Sequence, residues 1–151
     1  MQDVTQEEFF EFIDRHVFFC PIERDVCKFL ANYRRREPNE SFAVLKFKAN
    51  SLLIDSFEAV KLSKYDSGSS PRFPNRCNYK KSLDMFIPLD QFGLLHDSLV
   101  PDKASEVREV LIKSKVANLT KYLEEIYCTS EQNIPDCWKS FFKPLKYLIK
   151  N

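Results

Sequence analysis

Two glycines in 151 residues, Gly68 and Gly93, set the first limit on this chain. They stand 25 positions apart. A phosphate-cradling loop needs glycines where backbone must wrap an anion, and a dinucleotide-binding turn needs three of them close together. A nucleophile elbow needs two, flanking its serine. None of these can be assembled here in its usual form. The common nucleotide-cofactor enzymes are therefore not expected, and no cofactor or metal is assigned.

What remains is a chain well able to fold. Hydrophobic residues make up 44% of it and charged residues 30%, with 14 Phe, 6 Tyr and one Trp. That is enough apolar side chain to offset chain entropy. The length suits a single domain over residues 1–151. Lys and Arg number 23 against 22 Asp and Glu, so a globally basic nucleic-acid binder is not indicated. No run of about 18 apolar residues exists, so no transmembrane helix is expected. The start Met1-Gln2-Asp3 is acidic, which is wrong for a leader. Five cysteines, Cys20, Cys27, Cys77, Cys128 and Cys137, form no regular framework. Free thiols in an intracellular compartment, cytoplasm or nucleus, are the plain expectation.

Thr5-Gln6-Glu7-Glu8 has capping-box spacing and opens a helix of about three turns carrying Phe9, Phe12, Ile13 and Val17, which stops before Pro21. Ile22, Val26, Phe29, Leu30 and Tyr33 recur at helical intervals in a second helix that ends in Arg34-Arg35-Arg36. From Ser41 to Lys48, apolar Leu45 and Phe47 alternate with Lys46 and Lys48, as in a strand with one wet face. Residues 52–62 fit either state, with a lean towards a strand that pairs with the first across Ala49-Asn50-Ser51. Leu83, Met85, Ile87 and Leu89 alternate as a third strand, ended or edged by Pro88. From Pro101 to about Cys128, the 4-3-4-3 spacing of Ile112, Val116, Leu119, Leu123 and Ile126 predicts a helix. A last helix starts at Pro135 and is kinked or split at Pro144. The expected architecture is α+β: two N-terminal helices, one small antiparallel sheet of about three strands, and a helical C-terminal third. An all-α chain is the alternative if residues 42–62 are helical.

No constellation carries familiar chemistry. Zinc sites present ligand pairs two to four residues apart, and Cys20 and Cys27 are six residues apart between them. His16 and Cys20 could face together only on a helix that reaches Cys20. The other histidine, His96, falls in an expected loop or short helix. Asp55-x-x-Glu58-x-x-Lys61 suits a solvated helix face with an ion pair better than a metal-dependent nuclease site.

Two charge patterns point to surfaces instead. Lys64, Arg72, Arg76, Lys80 and Lys81 oppose one acid, Asp66, in an expected flexible loop at about 65–81, with Phe73 and Tyr79 between them. Cations for phosphates and rings for stacking are what a single strand of nucleic acid needs. In the last helix Trp138, Phe141 and Leu145 form an apolar face inside a lysine rim, fit for the core or for a protein partner. The leading expectation is a non-enzymatic protein–protein interaction module, an adaptor or scaffold in a larger intracellular complex. A nucleic-acid-binding module using the 64–81 loop comes second, and an enzyme of unrecognised pattern third.

Overall fold

The computed structural model of the chain describes residues 4–68, 81–94 and 99–149. The chain divides into two compact units, each built from two separate segments: residues 1–22 with 56–116, and residues 23–55 with 117–151.

In the first unit Thr5 caps α1 (Gln6–Asp14). Its hydroxyl accepts from the Glu8 N–H at 3.2 Å, and the Glu8 carboxylate accepts from the Thr5 N–H at 2.9 Å. The Thr5 N–H and hydroxyl, both donating to the carboxylate, hold the Glu8 carboxyl below its ordinary range. The helix is shorter than its spacing predicts. At His16-Val17-Phe18-Phe19 the aromatic and β-branched side chains leave it for strand β1 (His16–Phe19). The sheet is completed by β3 (Val60–Ser63), β4 (Phe86–Pro88) and β5 (Glu109–Lys113), in the order β1-β5-β3-β4, all antiparallel. Residues paired across antiparallel strands share a face. One face therefore carries Val17, Val60, Leu62, Ile87, Val110 and Ile112. The opposite face carries His16, Phe18, Lys61, Ser63, Phe86, Glu109, Leu111 and Lys113. Helix α1 packs on this second face. Phe9 joins the core of Met85, Phe86 and Leu111, and the Phe12 ring stacks 4.9 Å from that of Phe86.

The second unit holds α2 (Glu23–Arg36), β2 (Val44–Phe47), α3 (Ala49–Asp55), α4 (Leu119–Tyr122), β6 (Leu123–Cys128) and β7 (Phe142–Pro144). Its sheet runs β2-β6-β7, with β7 parallel to β6. On one side Leu45 and Phe47 pack with Leu123, Ile126, Cys128 and Ile134. On the other, Leu30 of α2 packs with Leu145 and Leu148, joined by Val44 and Tyr127.

The expected α+β arrangement needs correction. Among the described residues there are two sheets, of four and three strands, rather than one small sheet, and the fold is mixed α/β. The all-α alternative falls with them. The C-terminal third is not helical. Ile112, Leu123 and Ile126, placed in a helical seam by their spacing, lie on strands β5 and β6, and Leu119 alone of that set falls on a helix, the single turn α4. Pro144 ends edge strand β7, where its missing N–H costs no ladder bond, and the flanking segments 136–141 and 145–147 are 3₁₀ turns. The expected hairpin between β2 and the segment after it is absent. Residues 49–55 are helical, and β2 pairs with β6 while β3 pairs with β4 and β5. Asp55, Glu58 and Lys61 thus fall on a helix end, a 3₁₀ turn and a strand, not on one helical face.

Just past β5 the chain turns at Ser114, whose φ of 69° lies in the left-handed region and whose N–H donates to the Arg15 carbonyl at 2.7 Å. A β-branched side chain is disfavoured there. Ser114→Val is expected to destabilise the chain by about 1–2 kcal/mol, and Ser114→Gly to be neutral or stabilising, as read by urea unfolding.

Candidate carboxylate site

Glu109 opens β5 directly across from Ser63 at the end of β3. Beyond Ser63 the chain bends sharply. The Ser63 hydroxyl accepts from the Tyr65 N–H at 3.1 Å and donates to the Tyr65 carbonyl at 2.8 Å, and Ser63 is fully buried. The Asp66 carboxylate accepts from the Gly68 N–H at 2.9 Å, an Asx-type turn. Between them the Ser67 N–H donates to Glu109 Oε1 at 3.0 Å. Lys81 Nζ donates to the Ser67 carbonyl at 2.6 Å. The turn is thereby held at both peptide groups that flank the Ser67 Cα.

The other oxygen, Glu109 Oε2, is shut off from solvent and accepts no hydrogen bond among the described residues. Burial pushes the Glu109 carboxyl up from its ordinary range. The hydroxyl and N–H of Ser67 oppose that rise, and the nearby Asp66 carboxyl adds to it. Two acids side by side, one raised by burial and the other accepting from a backbone N–H, form an arrangement able to donate and accept a proton.

Lys64 lies 3.7 Å from Glu106, whose carboxyl is held below its ordinary range, chiefly by the Asp102 N–H. Of the basic set expected to grip nucleic acid, Lys64 and Lys81 thus make these local contacts. Arg72, Phe73, Arg76, Tyr79 and Lys80 lie outside the described residues, as do Cys77 and His96. Trp138 and Phe141 are half-buried against the Leu123, Ile126, Cys128 and Ile134 core, and the Trp138 indole N–H donates to Thr120 Oγ1 at 2.8 Å. Leu145 is buried beside Leu30 and Leu148. Among the described residues no group of three or more His, Cys, Asp or Glu is placed to hold a metal ion. No helix among them is long and apolar enough to cross a membrane.

Sequence reasoning missed Glu109 and Ser67, because they stand 42 residues apart and meet only through strand pairing. The signal was local: Glu109 is an acid within the apolar run Val107-Arg108-Glu109-Val110-Leu111-Ile112, which reads as a strand once the helical seam is set aside. No curated protein and no solved structure is a match to the chain. Residues 1–123 match the model of DUF7002, a family of unknown function, and the chain belongs to that family.

Proposed function

We propose that this chain is an enzyme of acid–base type, with Glu109 as the group that gives or takes the proton and the Ser67 peptide as the element that positions it. The observation that carries the reading is the Glu109 carboxyl itself, buried beside the Asp66 carboxyl, held by the Ser67 N–H at Oε1 and accepting no hydrogen bond at Oε2 among the described residues. Such an orphan acceptor is costly in a fold unless something uses it. A ligand hydroxyl or amide N–H would satisfy it, and the raised carboxyl keeps its proton to higher pH than an ordinary glutamate does.

A panel of chromogenic ester, glycoside and phosphodiester substrates tests this, run on the wild type and on Glu109→Gln. The amide keeps the acceptor for Ser67 and removes the acid. Turnover that falls by about a hundredfold or more in the variant supports the reading, in the range general acid–base catalysis contributes. Turnover that survives the substitution, or none with any of the three classes, overturns it.

The reading as an interaction module is supported by a different observation. On α2, Phe29 and Tyr33 stand one turn apart, 41% and 47% exposed, with the Arg36 guanidinium 5.1 Å over the Tyr33 ring. Exposed rings beside a cationic helix end are suited to a protein partner. Phe29→Ser with Tyr33→Ser should then abolish capture of partners from native extract without lowering Tm, whereas unchanged capture rules this face out.

A further inference from the structure

A cleft of about 670 Å³ opens at the far end of the face that carries Glu109, beside α1. Lys61 of β3 and Lys113 of β5 line it, with Arg15, Glu8, Glu11 and His16. Lys61 pairs with Leu111, two residues from Lys113 on the same face, so the two lysines are diagonal neighbours about 7–8 Å apart at the backbone. Like charges so placed repel unless an anion sits between them. The acids of the cleft have partners other than the two lysines. Glu8 accepts from the Thr5 N–H and hydroxyl, both at 2.9 Å, and Glu11 pairs with Arg15 at 3.3 Å. Among the described residues neither Lys61 nor Lys113 has an ion pair within 4 Å. Behind them His16 Nδ1 lies 2.7 Å from the Phe12 carbonyl, which places the ring proton on Nδ1. Its Nε2 is buried without a partner.

We propose that this cleft binds a doubly charged oxyanion, the phosphate of a phosphomonoester, between Lys61 and Lys113. Two ammonium groups on neighbouring strands match a dianion better than a planar monoanion, and each adds a charge-assisted hydrogen bond. The site is distinct from the Glu109 pocket. Fully buried Leu111 stands between Glu109 and Lys113 on β5, under the Phe9 and Phe86 core.

Titration of the full chain with inorganic phosphate, at ionic strength matched with sodium chloride, tests the proposal. It is followed by the NMR signals of the His16 ring and the Lys113 amide. The expected result is a saturating shift at both positions, weakened about tenfold or more in Lys61→Gln/Lys113→Gln. Matched melting curves would show that the double variant is folded, and each single variant should show part of the loss. Glu109→Gln should bind phosphate as the wild type does, which separates this site from the acid–base reading. Shifts that never saturate, equal affinity in the folded double variant, or acetate binding as tightly as phosphate would overturn it.

Discussion

Leu111→Ala is expected to lower stability by about 3–5 kcal/mol, a large share of a typical domain's total. Leu111 is 0% exposed at the centre of β5, with β1 on one side and β3 on the other, and its side chain is covered by Phe9, Met85 and Phe86. Truncation leaves a cavity bounded by strand backbone and aromatic rings, neither of which can collapse into it easily. Urea unfolding at constant m would record the loss as a fall in midpoint. Leu111→Met, similar in volume, should recover most of it. A midpoint within experimental error of the wild type in Leu111→Ala would mean that this face is not the core of its unit.

Glu109→Gln should have the opposite sign, and its effect should depend on pH. Burial raises the carboxyl pKa in the folded chain above its value in the unfolded chain. The folded state therefore holds the proton over a range where the unfolded state has lost it. The stability this confers is full below the ordinary carboxylate range and is lost as pH rises through the folded value. Glutamine removes that slope. The variant should gain on the wild type as pH rises above the ordinary carboxylate range, read as a rise in Tm. A gain in stability together with a loss of turnover is the pattern of a group retained for function at the expense of the fold. Melting curves of wild type and variant that stay parallel across this range would show that Glu109 ionises as an ordinary surface acid.

Local rules read the chain well where neighbours in sequence decide the outcome. The capping box at Thr5 and Glu8, the helical face of Val26 and Leu30, and the alternation of Leu45 with Lys46 all involve residues within one or two turns of each other. The same rules misplaced the C-terminal third. Ile112 and Leu123 belong to different sheets, and the helical interval between Leu123 and Ile126 is incidental on a strand buried against α2 on one face and 3₁₀ turns on the other. The carboxylate site lay beyond reach for a related reason. Its chemistry depends on which strand edge faces which turn, and spacing along the chain carries no record of the β3–β5 pairing.

Interleaving of the two units has a consequence for how the protein comes off the ribosome. Among the described residues strand β1 pairs with β5 alone, about ninety residues later, and β2 waits about eighty for β6. Neither sheet can close until β5 and β6 are made, so the nascent chain carries the Phe-rich segments 9–19 and 42–47 with open hydrogen-bonding edges. Synthesis speed and holdase chaperones should then govern the yield of native protein more than the stability of the finished fold does. A circular permutant that brings β1 next to β5 should refold faster than the natural chain and need less such help.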